Sequence, residues 1–136
     1  MQYVMFVATD PEAEQFVPAD DNIGEWVAEV ESRGIHVYGQ RLRPVDDATT
    51  VRLRGGELIV TDGPFTESKE WIAGLDILEC RDLDEAIDIA SRHPMARFGR
   101  IELRPVWPFD AAEDPVAREE REAAERGRRT EPALGS

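Results

Sequence analysis

The sequence predicts an α+β domain of the ferredoxin-like, split β-α-β type, with a β-hairpin inserted in its middle. Three observations carry this prediction. Two apolar runs, Met1 to Ala8 and Trp71 to Cys80, are continuous enough to be strands covered on both faces. Each is followed by a stretch with apolar residues at i, i+3, i+4 and i+7, the spacing of one helix face. Between these halves, Gly55-Gly56 joins two short β-rich segments, which is a hairpin signature.

The elements follow in order. Tyr3, Val4, Met5, Phe6 and Val7 form the first strand, placed centrally because it lacks a polar face. Asn22 is positioned to cap a helix whose Ile23, Trp26, Val27 and Val30 make one buried stripe, and Gly34 stops it. The segment 35–43 reads as a second strand ended by Pro44, with Gly39 marking a bulge or a close backbone approach. Strict alternation puts His36 on the face of Tyr38, Gln40 and Leu42, opposite Ile35 and Val37. The hairpin arms are Thr50-Val51-Arg52-Leu53-Arg54 and Leu58-Ile59-Val60. After the long central strand, Asp82 caps a second helix carrying Leu83, Ala86, Ile87 and Ala90, and His93-Pro94 ends it. Arg100 to Val106 alternates, and Pro105 makes it an edge strand. One face of the resulting sheet is covered by helices and the other keeps apolar residues, so a homodimer is expected.

Composition narrows the function classes. With 136 residues and 41% hydrophobic content, the chain is long enough for one domain with a real core. Its formal net charge of -13 repels phosphate backbones and anionic lipid, which argues against nucleic acid or a membrane surface as partner. No apolar run approaches the roughly 20 residues of a membrane span, and no secretory signal order opens the sequence; a cytoplasmic location is the expectation. Cys80 is the single cysteine and reads as a small buried hydrophobe. From Asp110 the composition shifts to Ala, Glu and Arg, dividing the chain into a folded domain over 1–109 and a charged tail over 110–136, helical or disordered. Within the tail, Asp114-Pro115 and Gly127 read as the cap, first turn and stop of a helix.

The chemistry-bearing stretch is Thr61-Asp62-Gly63-Pro64-Phe65-Thr66-Glu67-Ser68-Lys69-Glu70. Asp-Gly-Pro forces a turn, Phe65 can pin the loop to a core, and Glu67, Lys69 and Glu70 bring both signs of charge together; Lys69 is the only lysine in the chain. Two readings stay open: a structural turn with its charges paired in water, or a site in which Asp62 or Glu67 is a general base and Lys69 clamps an anionic small molecule. In the second reading Gly63, Pro64, Phe65 and Glu70 line the ligand. Asp76 and Arg41 are further ligand-binding candidates: an acid in an apolar strand needs a partner, and Arg41 or Arg52 can supply one. His36 is either a half-buried structural residue or a proton-transfer group, and His93 at a helix end reads as a cation on the helix dipole. There is no phosphate-cradling glycine loop and no Cys or His cluster at metal-ligand spacing, so no metal and no cofactor is expected.

The run from Thr61 to Phe65 with Glu67, Lys69 and Glu70 resembles the signature of the DGPF branch of the YCII-related protein family. The Gly39-to-Leu42 strand, the arm 48–52, Asp84-Glu85-Ala86 and Glu102-Leu103-Arg104-Pro105-Val106 stand in the order that family shows, and the resemblance covers roughly 1–106. It implies a ferredoxin-like dimer of the α+β-barrel type, in a family where many members have no known biochemical function. Some YCII-like relatives are suspected enzymes through a His-Asp pair and a similarity to muconolactone isomerases; neither His36 nor His93 falls in a spacing matched to that pair. Some DGPF members resemble products encoded beside extracytoplasmic-function sigma factors. Two functions follow. One is a small dimeric, metal-independent enzyme moving a proton on a small acidic organic molecule. The other is a non-enzymatic module binding a ligand or a sigma-factor-related protein.

Overall fold

A computed structural model describes residues 1–64, 70–107 and 114–130, and the chain divides into two units, Met1–Val106 and Trp107–Ser136. Strand β1 (Gln2–Ala8) leads through a long connection to helix α1 (Ile23–Ser32) and strand β2 (His36–Arg41). The hairpin β3 (Thr49–Arg54) and β4 (Glu57–Asp62) follows, then strand β5 (Ile72–Glu79), helix α2 (Leu83–Ser91), the single helical turn α3 (Met95–Phe98) and strand β6 (Arg100–Pro105). The main sheet runs β2-β5-β1-β6, all antiparallel. Helix α1 therefore joins two strands that flank β5, and α2 with α3 joins two that flank β1, so each half is a β-α-β unit split by a strand of the other. The two most apolar strands are central and Pro105 is on an edge.

Alternation along the central strands separates two faces. Tyr3, Met5 and Val7 of β1 and Leu78 of β5 are buried against Trp26 and Val30 of α1 and Ala86, Ile89 and Ala90 of α2. Full burial of side chains such as Met5, Leu78, Ile89 and Val30 stabilises by roughly 1.5–3 kcal/mol each, the main force holding helices to sheet. On the other face the register places Val4 opposite Ile77 and Phe6 opposite Leu75. These four stay only partly buried, and Tyr38, opposite Ile77, is exposed.

The caps refine the sequence reading. Asp82 caps α2, its carboxylate accepting from the Glu85 N–H at 2.9 Å. Asn22 does not cap α1: Asp21 accepts from the Ile23 N–H, and the Asn22 amide donates instead to the Arg92 carbonyl, tying the start of α1 to the end of α2. The hairpin turns through Gly55 and Gly56 at φ 57° and 79°, the paired left-handed conformations of a type I′ turn. It forms a two-stranded sheet of its own, with Val51 opposite Val60 and Leu53 opposite Leu58.

In the second unit, α4 (Pro115–Thr130) starts at Asp114, whose carboxylate accepts from the Ala117 N–H at 2.9 Å. The helix continues through Gly127 rather than stopping there, because one glycine inside a helix costs only about 1 kcal/mol. The boundary expected at 109/110 lies outside the described residues. Among the described residues, no helix is long and apolar enough to cross a membrane.

Candidate functional site

A β-bulge in β2 creates the site. His36 stands opposite Leu78, whereas Tyr38 stands opposite Ile77, so two steps along β2 match one along β5 and Val37 is the extra residue. The alternation expected from the sequence therefore breaks at Val37. His36 falls on the helix-covered face with Gly39 and Asp76, while Tyr38 and Gln40 take the other. This brings His36 Nε2 to 2.9 Å from Asp76 Oδ1, and the two side chains are 21% and 16% exposed. Asp76 thus takes a histidine as partner, not Arg41 or Arg52.

Gly39 gives the pair its room. A Cβ on Gly39 would lie 2.1 Å from Asp76 Oδ1 and 2.6 Å from His36 Nε2, distances at which a side chain is accommodated only if the pair moves. Behind the pair, the Trp26 ring stands edge-on to His36 at 6.4 Å and to His93 at 4.8 Å, fixed by an indole N–H bond to the Ile89 carbonyl at 2.9 Å. His93 is buried, and its Nδ1 accepts from the Met95 N–H at 3.0 Å, which leaves the ring proton on Nε2. Burial pushes this imidazole below its ordinary value, with Asp76 and Asp21 pulling the other way. His93 is therefore a neutral, hydrogen-bonded core residue and not a cation on the helix end.

The profile of the YCII-related domain matches residues 1–110. The chain belongs to the YCII-related family. It is also similar to an uncharacterised protein of Rhizobium meliloti (strain 1021), at 42% identity over 77 residues, covering 55% of this chain and 62% of that protein. The chain thus spans about three fifths of the length of that relative.

For this YCII-related chain, the contact selects one tautomer of His36 when the Asp76 carboxylate is the acceptor. An ionised carboxylate only accepts, so its bond to His36 places a proton on Nε2 and leaves Nδ1 with the free lone pair of the neutral ring. A carboxylate that fixes the tautomer and stabilises the imidazolium is the arrangement that makes a histidine a general base and then a general acid.

The Asp-Gly-Pro turn lies elsewhere in the unit. Asp62 ends β4, exposed and opposite Thr49, so it belongs to the hairpin and not to the main sheet. Gly63, at φ 106°, donates its N–H to the Ala48 carbonyl at 2.8 Å and accepts from the Thr50 hydroxyl at 2.9 Å. Pro64 and Glu70 border an open cavity of about 720 Å³ with Arg43, Asp47 and Trp71. Glu70 is ion-paired with Arg100 of β6. Phe65, Glu67 and Lys69 lie outside the described residues. The structure thus brings together His36 and Asp76, which were read separately, and keeps Asp62 apart from them. Two signals pointed to the pair: an acid in an apolar strand, and a glycine in the neighbouring one. The bulge that joins them has no residue signature beyond that glycine.

Proposed function

We propose that this protein is a small enzyme that moves a proton on a small acidic organic molecule, with His36 as the acid–base group and Asp76 as its orienting carboxylate. The observation that carries this is the 2.9 Å Nε2–Oδ1 contact, made between two largely shielded side chains over Gly39, which supplies no side chain. A histidine held this way typically contributes 10²–10⁴-fold to a proton transfer. His36 Nδ1 takes the proton from a substrate carbon or oxygen, and the imidazolium, steadied by Asp76, returns it at a second position.

The working unit we propose is a homodimer built on the ferredoxin-like sheet, its open faces closing into an α+β barrel. Val4, Phe6, Leu75 and Ile77 support this, because a lone chain leaves this apolar strip partly wet.

The test is deuterium uptake. Small carboxylates and lactones are incubated with the protein in heavy water, and C–H exchange is followed by NMR. Exchange catalysed by the wild type and reduced at least a hundredfold in His36→Asn, with the fold intact, is the expected result. Absence of exchange across the panel, alongside saturable binding of one of its members, would point instead to a ligand-binding module.

A further inference from the structure

Arg41 stands on the same strand face as this pair, one pleat beyond Gly39. The register sets Gly39 opposite Asp76 and Arg41 opposite Gly74, with no further bulge between them. At about 3.3 Å per residue, the Cα atoms of Gly39 and Arg41 are roughly 6.6 Å apart. Side chains two residues apart in a strand share a face, so Arg41 lies on the face of β2 that carries the His36–Asp76 pair.

The charge pattern makes this arginine unusual in its unit. Arg33, Arg43, Arg81, Arg92, Arg97 and Arg100 each hold a carboxylate. Arg41 is exposed and holds none among the described residues. Three others in the unit, Arg52, Arg54 and Arg104, also lack an ion pair among the described residues, but Arg52 and Arg54 belong to the separate hairpin, where Arg54 donates to the Leu53 carbonyl. Arg104 pairs in register with Val4, which puts it on the opposite face of the sheet. In a chain of net charge -13, a guanidinium left free at this one place is available to an anion from outside. The nearby carboxylate, Asp76, is already engaged by His36.

We infer that Arg41 is the carboxylate-binding residue of the site, and that the substrate is a short organic acid held by its carboxylate at Arg41, with its reacting carbon at His36. A planar guanidinium takes a carboxylate through two parallel N–H bonds, which fixes the direction of the acid as well as its position. Bound this way, the substrate's negative charge stays on Arg41, away from Asp76. This deepens the proton-transfer reading and rests on it for the place of the reacting carbon, but the carboxylate subsite stands or falls by its own measurement.

Acetate, pyruvate and malonate are titrated into the full chain, each beside its neutral methyl ester, with the backbone amides of Gly39, Arg41 and Gly74 followed by NMR. At least one of the acids is expected to shift these amides saturably while its ester does not. Arg41→Gln should weaken that acid at least tenfold, and Arg41→Lys, which keeps the charge but not the fork, less. Binding with no deuterium uptake into the acid leaves the subsite standing and removes the proton-transfer reading. Uptake that Arg41→Gln leaves unchanged removes the subsite and keeps the pair. No saturable shift with any acid, or equal affinity for acid and ester, overturns the inference.

Discussion

Replacing Gly39 by alanine tests the physical basis of the His36–Asp76 pair. The new Cβ would stand 2.1 Å from Asp76 Oδ1, and ordinary contact begins at 3.4 Å, so the oxygen must retreat by 1.3 Å if it alone moves. A 2.9 Å bond tolerates only roughly 0.6 Å of lengthening before it is lost, so the pair separates. A hydrogen bond to a charged group contributes about 1.5–3 kcal/mol, and both side chains are shielded enough for that contribution not to be screened away. Gly39 is not in the left-handed region, so alanine fits the backbone and offsets about 0.4–1 kcal/mol by restricting the unfolded chain. The net expectation is a destabilisation of about 0.5–2.5 kcal/mol. Urea unfolding measures it, and the ¹⁵N spectrum of the imidazole reports whether Nε2 has lost its acceptor. In an Asp76→Ala background the Oδ1 and Cγ atoms are gone and only His36 Nε2 still obstructs the new Cβ, with no bond to Asp76 left to lose, so Gly39→Ala costs less there than in the wild type. An equal cost in both backgrounds would refute the reasoning, as would an unchanged Nε2 signal in the single variant.

Stability should fall on acidification because His93 is neutral in the fold: its folded value lies below the ordinary 6.5, so the unfolded chain takes up the proton first. Unfolding free energy is highest above 6.5 and declines as pH drops from there through the lower folded value; His93→Gln should flatten that slope in urea titrations at successive pH. Trp26→Phe removes the indole donor to the Ile89 carbonyl and should cost about 1–3 kcal/mol by the same unfolding measurement. Leu78→Ala, at a side chain with no exposed surface, should cost about 2–5 kcal/mol and lower the thermal midpoint. Asp82→Ala removes the cap on α2 and should cost about 1 kcal/mol.

Most of the fold was legible in the sequence because it is written in periodicities that burial enforces. The order of strands and helices, the hairpin turn at Gly55-Gly56 and the edge position of Pro105 each follow from a local requirement that the tertiary structure keeps. Asn22 and His93 were misread for a shared reason. Each is a polar residue at a helix end whose local role is plain, and each is instead claimed by a partner set by packing: the Arg92 carbonyl for Asn22, the Met95 N–H and Trp26 ring for His93. Local propensity ranks the options at a helix end, but it does not see a second helix arriving beside it.

The site was less legible, and the reason lies in Val37. A strand's faces are assigned by counting in twos, so one inserted residue reverses every assignment after it. His36 counted forward falls with Tyr38; counted across the bulge it falls with Gly39 and Asp76. The sequence does hold a compensating clue, because an aspartate in a central apolar strand must be satisfied by something on its own face. On β2 the residue opposite Asp76 is a glycine, which can satisfy nothing with a side chain but can let a neighbour lean over it. The acid in one strand, the glycine across from it and a histidine three residues before that glycine form one requirement. A buried acid facing a glycine thus points to a partner one turn of the ladder away, and a bulge is the means by which the partner reaches it.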